Sequence, residues 1–189
     1  VVAFISSRVN STTYYVQSQT GGTPTAAGAG TAVNIFRAHN SLDGWEDQAV
    51  AGVNPTIDNT LDDYVLLTSR DLVTDDVIVM VACYADGTDI AAVNIDSGWI
   101  TGLDNYIKIY TPTASGNVGA SQRHNGKWKT SGAYTLDPSS GTAISFAVNH
   151  LRIEGLQIDV VDGSYGIRLP ADSISGTTDI RVSHNIIKG

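Results

Sequence analysis

Few side chains in this sequence have the types and spacing to do chemistry, and the densest group is Arg123, His124, Lys127 and Trp128. An indole with adjacent cationic donors stacks on a sugar ring and hydrogen-bonds its hydroxyls or a uronate. These four residues are therefore the candidate carbohydrate-binding set. The competing reading is a loop folded over a flank of the body with Trp128 tucked against it. A second group, Asp58, Asn59, Asp62 and Asp63, offers oxygen ligands of the kind that hold Ca²⁺. Its spacing does not match an EF-hand loop, and solvated turn carboxylates are the commoner outcome. Structural Ca²⁺ at Asp58, Asp62 and Asp63 is thus the alternative expectation, and no other cofactor is expected. His124 and His184 have no second His or Cys at ligand spacing. Cys83, the sole cysteine, lies in the apolar run Val77–Tyr84 and reads as a small core residue, since no base is suggested beside it. No residue is expected to be catalytic.

Short strands must position these residues. A chain of 189 residues is long enough to bury a core, and nineteen glycines with abundant Thr, Asn, Asp and Val predict a turn-dense β protein. Residues 1–32 read as a β arm followed by a flexible linker. Val1, Val2, Phe4, Ile5 and the Thr12–Val16 run have β-type composition, and 20–32 have nothing to bury. The arm is expected either to pack as the first strand of its own body or to add to a neighbouring subunit. Residues 33–75 predict an N-terminal cap. Ser41–Val50 is the best helix, with Asn40 or Ser41 as N-cap and Leu42, Trp45 and Ala49 on one face. Trp45 is expected to plug the end of the strand layers. Val77–Ala82, Ile90–Ile95 and Tyr106–Tyr110 read together as one turn of a solenoid. An excursion at about 111–141 then carries the candidate binding set, and Ala143–Val148 and Gly166–Leu169 resume the strands.

The C-terminal third repeats itself. Leu151-Arg152-Ile153 matches Ile180-Arg181-Val182, and Ile158 matches Ile187, all at an offset of 29. Such a repeat, with a polar or glycine corner, is what stacked β-coils require. Leu151, Ile153, Leu156 and Ile158 are expected to point inward, and Arg152, Arg181 and Gln157 outward. Gly155 and Asn185 are expected at the corners, where both residue types tolerate positive φ.

This repeat resembles the right-handed parallel β-helix of the pectate-lyase-like superfamily. Ser41–Glu46, Arg70–Asp76 and Asn105–Pro112 are similar to the opening of β-helix proteins from environmental bacteria and phages whose function is unassigned. The resemblance implies an all-β, right-handed parallel β-helix over 76–189, with a short N-terminal capping helix and an extended arm. Its expected size is about four to five coils, roughly 20–25 Å tall. It also implies an asparagine ladder at Asn185. Polygalacturonase-like members carry Asn-Thr-Asp, Asp-Asp and Gly-His-Gly motifs in successive coils. Here only Asp62-Asp63 matches loosely, and it precedes the coils.

Charge and ends complete the reading. Residues 43–104 carry thirteen acids and one base, Arg70, whereas from 105 onward eight bases stand against six acids. A concentrated basic stripe is missing, so nucleic acid is not an expected partner. No run of about 18 apolar residues occurs, so no membrane span is expected. The first residue is Val, which predicts a trimmed or processed chain. No closing helix follows Ile186, Ile187 and Lys188, so the last coil is expected to expose unpaired backbone groups. Together with Val1, Val2, Phe4 and Ile5 on their tether, these residues are the candidate assembly surfaces. The rival is a natural chain that continues beyond Gly189. The function expected is a non-catalytic, surface-exposed structural protein of a filament, envelope or phage particle. It would form head-to-tail or arm-mediated homopolymers, with a surface polysaccharide as a further candidate partner. The alternative is a polysaccharide lyase, a glycoside hydrolase or a carbohydrate-binding module.

Overall fold

The computed structural model describes residues 1–96, 98–114, 116, 119–160, 165–170 and 174–189. Among the described residues the chain is rich in sheet and poor in helix. It opens with a hairpin, β1 (Phe4–Asn10) and β2 (Thr13–Gln17), which pair antiparallel with each other and, among the described residues, with no other strand. The arm is thus not the first strand of the body's sheets. The turn closes where the Asn10 side chain accepts the Thr12 N–H at 2.9 Å, a local bond that favours turns over strands.

A short helix, α1 (Leu42–Glu46), begins at Ser41, whose hydroxyl accepts the Gly44 N–H. The sequence predicts a helix to Val50 with Ala49 on its apolar face. The helix instead stops at Glu46, Gln48 turns left-handed at φ 47°, and Ala49 is exposed. The cause is competition for the last carbonyls. Arg70 donates to the carbonyls of Glu46 and Asp47, and the Gln48 side chain donates to that of Trp45.

Among the described residues eleven further strands build three parallel sheets. They are β3 (Val79–Ala82), β4 (Thr88–Asp89), β5 (Val93–Ile95), β6 (Ile107–Tyr110), β7 (Thr135–Leu136), β8 (Ile144–Phe146), β9 (His150–Glu154), β10 (Gln157–Asp159), β11 (Ile167–Arg168), β12 (Asp179–Ser183) and β13 (Ile186–Lys188). The sheet orders are β12-β9-β6-β3, β13-β10-β7-β4 and β11-β8-β5. The chain therefore visits the three sheets in rotation, and each strand lies beside the one three places earlier. Among the described residues three rotations are complete and a fourth supplies β12 and β13, short of the four to five coils expected. Tyr106–Tyr110 does not close the first rotation but opens the second, with Ile107 beside Val79. The sequence conceals two strands: β4, two residues inside what reads as a polar break, and β7, two residues inside what reads as the excursion at about 111–141.

Register places like on like. Ile107, Leu151 and Ile180 form one row, Ile109, Ile153 and Val182 the next, and Leu136, Ile158 and Ile187 a third. Leu151, Ile153, Leu156 and Ile158 are fully buried, and the 29-residue offset is the pairing register itself. Gly155 turns the corner at φ +84°, where a Cβ would overlap Arg123 and Thr111. The left-handed residue one rotation later is His184, not Asn185. Asn185 instead bridges layers, accepting from Leu156 N–H and donating to the Ile153 carbonyl.

The end at β3–β5 is covered. Leu42, Trp45, Leu72 and Trp99 are buried, and the two indoles stack at 5.4 Å. Glu46 accepts from the Trp99 N–H at 2.8 Å and from Arg70 at 3.2 Å. Burial raises its carboxyl above the usual range, against the opposing pull of these two donors. Asp89 holds the cap to the strands, accepting from Leu42 N–H and the Tyr134 hydroxyl through one carboxylate oxygen. Burial keeps that phenol protonated and a donor.

Candidate functional site

The excursion between β6 and β7 carries the residues singled out for binding; its residues 115, 117 and 118 lie outside the described ones. Arg123 folds back to the corner at Gly155. Its guanidinium donates to the Thr111 hydroxyl at 3.1 Å, the Thr111 carbonyl at 3.3 Å and Glu154 at 2.9 Å. His124 is buried, its Nδ1 accepts the Gly126 N–H at 3.1 Å, and its Nε2 has no partner among the described residues. Lys127 is exposed. Trp128 is half-buried, with the Lys188 ammonium 4.4 Å from its ring centroid. Of the four, Arg123 and His124 are taken up within the fold, and Lys127 and Trp128 remain toward solvent.

The excursion is fastened at a second point, which corrects the expectation that Gln157 faces solvent. Its carboxamide accepts from Lys129 N–H at 2.7 Å and donates to the Lys129 carbonyl and the Thr135 hydroxyl, both at 3.0 Å. Gln157 does point outward from β10, but the excursion lies over it and leaves it fully buried. A side chain that satisfies a covering backbone in this way is buried without penalty.

Register assembles a cluster that sequence order conceals. Lys108, Arg152 and Arg181 occupy one row on the outer face of the β3-β6-β9-β12 sheet. Tyr106 lies 3.4 Å from the Arg152 guanidinium, ring centroid to carbon, and Tyr110 lies 5.1 Å from the Lys108 ammonium. Glu154 accepts both Lys108 and Arg123, while Asp179 accepts both Arg152 and Arg181. Four cations thus share two carboxylates on a chain of net charge −8. The Lys108 ammonium first, then Arg123, holds the Glu154 carboxyl below its usual range. Arg181, then Arg152, does the same to Asp179. Both carboxylates are ionised acceptors at neutral pH, suited to bracing cations and not to donating a proton. The signal for Arg152 and Arg181 was present in the 29-residue offset. Lys108 was hidden because the excursion stretches its spacing to Arg152.

Asp62 and Asp63 sit on a 3₁₀ turn, Asn59–Tyr64, which Asp58 precedes. The Asp58 carboxylate caps that turn, accepting from the N–H and hydroxyl of Thr60, which hold it below its usual range. Asp62 is buried and Asp63 exposed. Among the described residues no group of three or more His, Cys, Asp or Glu is placed to hold a metal ion. Cys83 is buried, and burial pushes its thiol well up from its ordinary value, so it is a poor nucleophile.

The candidate assembly residues lie at the two ends. Val1 and Ile5 are exposed, and Val2 and Phe4 half-buried. Beside the arm are two open clefts of about 400 and 460 Å³, lined by residues of the arm, its linker and Tyr64 and by no charged side chain. At β13, Ile186 is half-buried and Ile187 and Lys188 are exposed. Among the described residues no helix is long and apolar enough to cross a membrane. No family model, curated protein or solved structure matches the chain.

Proposed function

We propose that the three sheets close a right-handed parallel β-helix, and that the protein is a non-catalytic, surface-exposed structural component that associates with further copies of itself. The rotation of the strands among three parallel sheets supports the fold, and the strong preference of parallel crossovers for one hand supports its handedness. The observation that carries the function is the arm. Among the described residues its two strands pair only with each other, and Ile5, Val9, Tyr15 and Val16 are exposed on them. A lone two-stranded hairpin is marginal in water, so this ribbon gains most by pairing an edge with another chain. Val33, Ile35 and Phe36, just after the linker, are also exposed.

A second contact is offered by the layer of β11, β12 and β13. Ile153 and Ile158 are 0% exposed, whereas their register mates Val182 and Ile187 are 50% and 48% exposed. The opposite end has its cap, so stacking end on end matches two β11–β13 layers better than a layer against a cap. Such a contact is two-fold and closes on itself, and the arm then links one pair to the next.

Sedimentation of the whole chain across a concentration series, with intact mass from the native source, tests this reading. Assemblies that fall apart when residues 1–32 are removed, and pairs that fall apart on Val182→Lys, are expected. A chain that stays single at all concentrations would overturn it, and a heavier native chain would mean that its own strands cover β12 and β13. A second reading, a carbohydrate-binding module, is favoured by the four cations and two tyrosines on one outer face. Retention on an acidic polysaccharide, lost in the Arg152→Ala and Arg181→Ala double variant, would support it over assembly.

A further inference from the structure

We infer that Asn125 is a site of spontaneous covalent modification, at which the buried His124 imidazole drives closure of a succinimide ring and conversion to aspartate or isoaspartate. Asn125-Gly126 is the chain's only Asn-Gly pair, and both residues are exposed in the excursion. Ring closure needs three things: a carboxamide free to turn, a following backbone nitrogen free of crowding, and a base for the proton on that nitrogen. The Asn125 carboxamide makes no hydrogen bond among the described residues, whereas those of Asn54, Asn149 and Asn185 are engaged. Gly126 has no side chain, stands at φ +87°, and has open space where a Cβ would lie. The base is already in place, because the Gly126 N–H donates to His124 Nδ1 at 3.1 Å. That bond fixes Nδ1 as the unprotonated nitrogen and leaves the proton on Nε2. Burial holds the ring in this position.

The reaction balances within these residues and water. The Gly126 nitrogen bonds to the Asn125 side-chain carbonyl carbon while its proton passes to His124 Nδ1. The carboxamide nitrogen then leaves as ammonia, taking that proton, and the imidazole returns to its starting state. Water opens the succinimide at either carbonyl, giving aspartate or isoaspartate. The product adds a negative charge between Arg123 and Lys127. The isoaspartate form also inserts a methylene into the main chain between Arg123, held by Glu154, and Lys129, held by Gln157. The excursion is thereby loosened from the face it covers, and the change accumulates with the age of the molecule.

The test compares the folded full chain with the same chain unfolded in urea, at neutral pH. Peptide mass mapping follows the amide-to-acid mass gain at Asn125 and resolves the isoaspartate form. General-base assistance typically contributes about a hundredfold or more, so the folded chain is expected to convert at least about tenfold faster than the unfolded one. His124→Gln should bring the folded rate down to the unfolded rate. A folded chain that converts no faster than the unfolded chain would mean that the hydrogen bond protects the nitrogen, and the inference would fall. An unchanged rate in folded His124→Gln would remove the imidazole from the reaction and overturn it equally.

Discussion

The stacking register makes a prediction that sets two chemically similar positions against each other. Ile153 lies between Ile109 and Val182 in the inward row and is 0% exposed, and Val182, one rotation on, is 50% exposed. Ile153→Ala removes three carbons from a site walled on both sides by fixed strands, so the space collapses little. The expected loss is about 3 kcal/mol. Val182→Ala removes two carbons that are already half in water, so about 1 kcal/mol is expected. For a chain of this size each kcal/mol moves the thermal midpoint by roughly 2–4 °C. Thermal unfolding followed by far-ultraviolet circular dichroism in dilute protein should then show drops of roughly 6–12 °C and 2–4 °C. Equal losses, or a larger one at Val182, would refute the order of the layers. Repeating the Val182→Ala measurement at high concentration adds information, because a copy docked on this layer would make its cost rise with concentration.

Three further outcomes follow from particular contacts. Asp89→Ala leaves the Leu42 N–H and the Tyr134 hydroxyl without an acceptor, which should cost about 2–4 kcal/mol and loosen the cap. Trp45 and Trp99 report this as a red shift in fluorescence. Glu154 has a folded pKa below its ordinary 4.5, so its stabilisation is complete above that value and fades as pH falls through the lower folded value. Glu154→Gln should therefore cost about 1 kcal/mol at neutral pH and flatten the acid limb of the stability curve, measured by urea unfolding across pH. Gly155→Ala combines a left-handed backbone with overlap against Arg123 and Thr111, and should lower the urea midpoint by the equivalent of about 2 kcal/mol or more.

The layered body was legible where the repeat is uninterrupted. From Leu151 to Ile187 the alternation of apolar and polar residues carried both the inward rows and the pairing offset. The first rotation was harder, because β4 is two residues of polar character, Thr88 and Asp89, whose pairing comes from the neighbouring layer and not from side-chain pattern. Helix α1 was found but overrun, since the side chain that ends it, Arg70, arrives from 24 residues downstream. The fate of the binding set was not legible at all. Nothing local marks Arg123 as a clamp; only the placement of Glu154 and Gly155 at the same corner turns its charge inward. Gln157 misled for a related reason, because alternation along a strand assigns a face and not what folds over that face.

The spacing of the layers bears on how such a chain changes over generations. From Val79 to Ile107, from Ile107 to Leu151 and from Leu151 to Ile180 the chain advances 28, 44 and 29 residues, yet the three steps give the same strand-on-strand stacking. The extra length of the middle step leaves the sheets between β6 and β7 and is pinned by a few side chains. The strand layers therefore tolerate length polymorphism at that corner while remaining intolerant of it within the strands. Insertions, deletions and new ligands can be tried there at little risk to the fold, and among descendants of this chain that corner should diverge first.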